Sequence, residues 1–170
     1  MNRYELMIDE YACWGCMACE AACKQEHNPP DGVRLIKITE QWSQSAEGNL
    51  NFTFRVTLCR HCDDPPCAEA CPEEAIFKRD DGIVILKGEL CSGCGACIDA
   101  CPYGAIDFDT DQGMARKCDL CYHRVDQGLL PACADNVCPA HCIYFGDPEK
   151  MGHRISSEAP PTGPEPTAEA

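Results

Sequence analysis

The sequence predicts a loop-rich chain of short helices and β-hairpins, organised around bound metal rather than a large apolar core. Three observations predict it. Seventeen of the 170 residues are cysteine, only 7% are aromatic, and the cysteines fall into repeated, closely spaced groups with none between. With so few large apolar side chains, an ordinary core would be thin. Cysteine at one residue in ten makes up for it as disulfides in a secreted chain or as metal ligands in a reduced one.

The opening stretch, residues 1–10, has no apolar h-region, small-residue cleavage site or twin-arginine pair. A reducing, cytoplasmic location is therefore expected, with export on a partner's signal as the alternative. The longest aliphatic run, residues 83–86, is far short of the roughly 20 apolar residues that span a bilayer, so no membrane insertion is expected. Fourteen Lys and Arg against 28 Asp and Glu leave a formal charge of −14. That balance argues against nucleic acid, whose phosphates need clustered cations, and favours basic partner surfaces.

Four groups of four cysteines are readable, with one left over. They are Cys13-x2-Cys16-x2-Cys19-x3-Cys23, Cys59-x2-Cys62-x4-Cys67-x3-Cys71, Cys91-x2-Cys94-x2-Cys97-x3-Cys101, and Cys118-x2-Cys121 followed by Cys133-x4-Cys138. Three groups share a tail: Cys71-Pro72-Glu73-Glu74-Ala75-Ile76, Cys101-Pro102-Tyr103-Gly104-Ala105-Ile106 and Cys138-Pro139-Ala140-His141-Cys142-Ile143. Aligned on Cys-Pro, Cys142 takes the place of alanine. It is spare, or an alternative to Cys138.

The elements follow in order. Residues 17–25 predict a short helix running through the third and fourth cysteines of the first group. Residues 51–58 alternate Phe52, Phe54, Val56 and Leu58 with polar residues, a half-buried strand paired with 34–38, with 41–50 as the connecting loop. Residues 75–78 and 83–86 flank an Asp- and Gly-rich turn, as do 105–108 and 114–117, predicting two hairpins. A second short helix is expected over 96–100. Residues 156–170, with four prolines and no large apolar residue, read as a disordered or partner-binding tail.

A Cys-x2-Cys-x2-Cys run puts three thiolates on one tight loop, suited to three irons of a cubane, and the cysteine after x3 ligates the neighbouring cluster. Paired by that rule, the inner groups give Cys59, Cys62, Cys67 with Cys101, and Cys91, Cys94, Cys97 with Cys71. The same swap between the outer groups gives Cys13, Cys16, Cys19 with Cys138, and Cys118, Cys121, Cys133 with Cys23. Sixteen ligands make four 4Fe-4S clusters. Structural zinc usually uses two separated pairs, and disulfides fit an odd count and reducing context poorly. A Cys-x3-Cys-x2-Cys run for S-adenosylmethionine cleavage is missing.

The remaining chemistry-bearing residues read as support. The five histidines show no paired metal spacing and are expected to pack or hydrogen-bond near clusters. Trp14 and Met17 are expected to shield the first group, and Arg60, Arg116 and Lys117 are cations beside cysteines that either raise a potential or sit solvated. No nucleophile-base pair or phosphate loop is visible, so a non-catalytic electron-transfer chain is expected. Its fold would depend on its clusters.

Groups one to four, with phrases such as Cys59-Arg60-His61-Cys62-Asp63-Asp64-Pro65-Pro66-Cys67, Arg116-Lys117-Cys118-Asp119-Leu120-Cys121 and Phe145-Gly146-Asp147, resemble the four-cluster iron-sulfur subunits of the dimethyl sulfoxide reductase family. The resemblance covers about residues 4 to 148. It implies an α+β fold of two fused bacterial-ferredoxin-like modules: an inner one over about 52–117, and an outer one over about 1–40 plus 118–150, within a domain of residues 1–155. It also implies electron transfer with a molybdenum- or tungsten-pterin catalytic subunit. A further flavin or ferredoxin partner, self-association and a free polyferredoxin carrier are the open variants. Cys13-Trp14-Gly15-Cys16 and Ala22-Cys23-Lys24-Gln25-Glu26 are similar to small subunits accompanying tungsten-dependent aldehyde oxidoreductases.

Overall fold

The fold, taken from a computed structural model, is described for residues 3–45, 48–148 and 151; the expected tail at 156–170 lies outside the described residues. The strands form four separate two-stranded antiparallel sheets. β1 (Glu5–Ile8) pairs with β8 (Ile143–Gly146), which joins the two ends of the described chain. β2 (Ile36–Gln44) pairs with β3 (Leu50–Leu58), β4 (Ile76–Lys78) with β5 (Val84–Leu86), and β6 (Ile106–Asp109) with β7 (Met114–Lys117).

The two short hairpins lie where the turn residues put them. The β2–β3 ribbon differs from expectation: pairing runs from Ile36↔Leu58 to Gln44↔Leu50, so half of the expected 41–50 loop is strand. Only its base is buried, through Ile36, Ile38, Val56 and Leu58. Its outer half is held by aromatic contact, across the strands between Trp42 and Phe52, centroids 4.4 Å apart, and along β3 between Phe52 and Phe54, 4.7 Å apart. The missed signal was that aromatic pairing, which stabilises a strand with no buried face.

Helices are short and sit at cysteines. α1 (Ala18–His27) carries Cys19 and Cys23 on its buried side and ends at Asn28, left-handed, whose N–H bonds the Lys24 carbonyl at 2.9 Å. α2 (Pro66–Glu69) opens on a proline whose fixed φ suits the first helical position, and it holds Cys67. α3 (Ala96–Asp99) holds Cys97, and α4 (Tyr122–Val125) follows Cys121.

Two apolar cores form. The first gathers Leu6, Val33, Leu35, Ile36, Ile38, Val56, Leu58, Ile83, Ile85, Leu120 and Val125 with Cys19, Cys23, Cys118 and Cys133; the second gathers Ile76, Val84, Ile106 and Ala115 with Cys67 and Cys97. The strand period of two explains the division. Ile83 and Ile85 enter the first core, and Val84 between them enters the second. Two carboxylates tie the pieces together: buried Glu20 accepts from the Ile38 N–H and Arg34, and half-buried Glu10 accepts from the Val56 N–H at 2.8 Å.

Candidate metal centre

The residue before the second cysteine of every group has a left-handed backbone: Gly15 (φ 64°), His61 (φ 47°), Gly93 (φ 73°) and Leu120 (φ 54°). That turn folds the loop back so that its N–H groups approach sulfur, as Gly15 N–H to Cys13 Sγ and His61 N–H to Cys59 Sγ, both at 3.5 Å. The Cys-Pro tails repeat too. Glu74 (φ 49°), Gly104 (φ 59°) and His141 (φ 51°) share a conformation, and their N–H groups bond the carbonyls of Cys71, Cys101 and Cys138. In the first two tails the next amide, Ala75 or Ala105, donates to the cysteine sulfur. Cys142 therefore occupies the alanine position in three dimensions as well as in sequence.

Three cavities of nearly equal size, 310 to 330 Å³ of empty space each, are ringed by thiols. One is lined by Cys59, Cys62, Cys67 and Cys101, and another by Cys71, Cys91, Cys94 and Cys97. The third is lined by five thiols, Cys13, Cys16, Cys19, Cys138 and Cys142, the last two with sulfurs 3.5 Å apart. Cys23, Cys118 and Cys133 lie in the first core with Cys121 near them: Cys23 feels the charges of Cys118 and Cys121, and Cys133 those of Cys121 and Cys23.

The donor set fits a cationic cluster. Burial pushes the Cys19, Cys97 and Cys121 thiols up to about 11, and neighbouring thiolates add to the rise at Cys19 and Cys97. Burial raises Cys23, Cys118, Cys133 and Cys142 further still. Such thiols give up protons together only if a bound cation offsets the desolvation and repulsion.

Of the accessory residues, Trp14 lines the cavity of the first group although 65% of it is exposed, and Met17 is 47% exposed. Arg116 pairs with Asp109, and Arg60 lies over the Tyr103 ring. Lys117 is buried. His27, which has no sequence signal beyond its place at the end of a helix, reaches Cys121 Sγ at 3.2 Å and lies 3.5 Å from an Asp119 oxygen.

A 4Fe-4S dicluster domain family matches residues 50–148, and a second such family matches residues 12–76. The protein is 37% identical to one of the polypeptides of the anaerobic dimethyl sulfoxide reductase of Haemophilus influenzae, across 95% of its own length and 85% of that relative's. It belongs to the 4Fe-4S iron-sulfur subunits of the dimethyl sulfoxide reductase family. Two tetrathionate reductase subunits are similar to it as well. The one from Archaeoglobus fulgidus is 41% identical over 92% of this chain and 73% of that protein, and the one from Salmonella typhimurium is 37% identical over 92% and 62%. The chain thus spans about three-fifths to six-sevenths of the length of these relatives. As an iron-sulfur subunit of this type it carries four 4Fe-4S clusters and transfers electrons. The relatives are named for sulfoxide and tetrathionate reductases, so the narrower expectation of an aldehyde oxidoreductase partner gains no support from them.

Proposed function

We propose that this chain is a wire of four 4Fe-4S clusters passing single electrons between a catalytic molybdenum- or tungsten-pterin subunit and a second redox carrier. The ligand sets would be Cys13, Cys16, Cys19, Cys138; Cys23, Cys118, Cys121, Cys133; Cys59, Cys62, Cys67, Cys101; and Cys71, Cys91, Cys94, Cys97. One observation carries the reading: the quartets adjoin in that order. Cys19 is within electrostatic reach of Cys133, Cys118 of Cys59, and Cys97 of Cys67. The exposed cysteines, Cys16 and Cys94, belong to the two terminal quartets. Electrons would enter and leave at the ends, since no cysteine of the middle quartets is exposed.

The clusters supply the redox chemistry, and the protein's own residues exclude water, donate to sulfur and set charge, which together tune the potentials. We infer an α+β arrangement of two fused ferredoxin-like modules, inner 52–117 and outer 1–40 with 118–150. The second core, drawn wholly from residues 67–115, supports it. Ile83 and Ile85 enter the first core, so the modules would share packing rather than hang from a linker. No described helix is long and apolar enough to cross a membrane. Seventeen free thiols suit a reducing compartment, so we place the chain in the cytoplasm, with co-export alongside a partner as the alternative.

Iron, acid-labile sulfide and zinc per chain test the cofactor reading, with about sixteen of each of the first two expected for four cubanes. Zinc without sulfide would overturn it. Pull-down at low and high salt with a co-expressed molybdenum-pterin catalytic subunit of a dimethyl sulfoxide or tetrathionate reductase tests the partner. The formal charge of −14 predicts a salt-sensitive complex, and a chain that stays alone at low salt would be a free polyferredoxin.

A further inference from the structure

Lys117 ends β7 with its ammonium inside the protein, 5% exposed. Its Nζ donates to the carbonyls of Val84 and, at 2.8 Å, Cys118. No carboxylate among the described residues pairs with it. Lys78, a second amine near the middle quartets, has its own counter-ion in Asp63 at 2.8 Å. A buried charge held only by neutral dipoles is costly, and proteins retain one where an opposite charge lies close.

The surroundings say where that charge would be. β5 pairs with β4 along one edge. On its other edge the Val84 carbonyl receives Lys117, and the Val84 N–H donates to His61 Nδ1 at 2.9 Å. Because Nδ1 accepts, the ring proton sits on Nε2, and this buried nitrogen has no hydrogen-bond partner among the described residues. His61 is itself in a left-handed conformation where the first and third groups have glycine, so its side chain is held there at a backbone cost. Both groups sit at the seam between the two middle quartets. His61 lies between Cys59 and Cys62, and Lys117 precedes Cys118 and is the largest influence opposing the burial-driven rise of Cys67.

We propose that Lys117, seated by the Val84 carbonyl beside His61, is the counter-cation shared by the two middle clusters and holds both potentials above those they would otherwise have. His61 adds a neutral N–H donor on the side of the Cys59 quartet. The proposal rests on the four-cluster reading and deepens it. A cation at the seam favours the reduced, more negative state of either neighbour, so the electron meets a lower barrier in the middle of the wire than at an uncompensated pair.

The test is EPR-monitored potentiometry of the anaerobically purified full chain, with iron and sulfide counted first, on wild type, Lys117→Met, Lys117→Gln and Lys117→Arg. If the wild type lacks iron, the four-cluster reading itself fails. With iron present, the neutral variants are expected to lower two of the four midpoints, each by about tenfold in its one-electron equilibrium, about 59 mV. The other two midpoints stay in place, and Lys117→Arg restores the wild-type values. Four unchanged midpoints in a fully loaded Lys117→Met would overturn the proposal and leave the wire intact. Should the neutral variants lose iron, restoration by Lys117→Arg supports the cation, whereas equal loss in all three variants would mean a packing role and reject it.

Discussion

His27 and Cys121, 94 positions apart, meet with Nε2 3.2 Å from Sγ. The contact exists because α1 crosses the loop that precedes α4, and the His27 ring is braced edge-on against His123 at 5.6 Å. A nitrogen donor on a ligating thiolate stabilises the reduced cluster. His27→Leu should lower the midpoint of one cluster alone, by roughly the 30–60 mV of a several-fold to tenfold change, and His27→Gln should recover part of it. Potentiometry resolves this, and an unmoved midpoint in a fully loaded variant would remove His27 from the set of tuning residues.

The repeated Cys-Pro turn separates Cys138 from Cys142. Cys142→Ala places alanine where Ala75 and Ala105 stand in the other tails, and should keep about sixteen iron. Cys138→Ala should lose one cluster, about four iron, unless Cys142, 3.5 Å away, takes over ligation. Takeover would show as full iron with a changed EPR signal, and iron analysis of the double variant then gives the deficit.

Gly15 is the tightest backbone position of the first group. A Cβ there would collide with the Phe54 ring, and its φ of 64° disfavours any other residue. Gly15→Ala should destabilise the holo chain by about 1–3 kcal/mol, the cost of strain plus displaced packing. Iron loss should be confined to one cluster. Thermal bleaching of the visible absorption measures the first, and Gly95→Ala, which meets nothing within 4 Å at a similar φ, isolates the backbone share.

Removal of iron should unfold most of the chain. Cys19, Cys23, Cys118 and Cys133 belong to the first core and Cys67 and Cys97 to the second, so the cofactors cross-link the cores that the sparse aliphatic residues only partly fill. Circular dichroism and NMR dispersion before and after anaerobic chelation check this, and a well-dispersed spectrum of the apo chain would falsify it.

Asp109 closes the β6–β7 turn, fully buried. Burial alone would raise its carboxyl, but the Gln112 and Asp111 N–H groups and Arg116 outweigh it and hold it below the ordinary 3.8. A lowered carboxyl stabilises the fold above pH 3.8, and that contribution is lost as pH falls through the folded value. Acid bleaching should therefore accelerate below that point, and Asp109→Asn should bleach faster already at neutral pH, with a flatter acid limb in stopped-flow absorption.

The cysteine spacing, the Cys-Pro tails and the turn residues at 79–82 and 109–113 are local, so the repeated cysteine loops, both short hairpins and α1 were legible from chain order alone. Such features follow from bonds and dihedrals within a few residues. Pairing between β1 and β8, the length of the β2–β3 ribbon and the reach of His27 to Cys121 were not legible, because each depends on segments far apart in sequence being brought together. Lys117 shows the division most plainly. In sequence it is one cation beside a cysteine, equally suited to water, and only the placing of β5 between the two cores, with Val84 turned to meet it, takes its charge out of solvent. Residue type determined the metal chemistry, and packing decided which polar groups that chemistry would feel, since burial sets the strength of every charge near it.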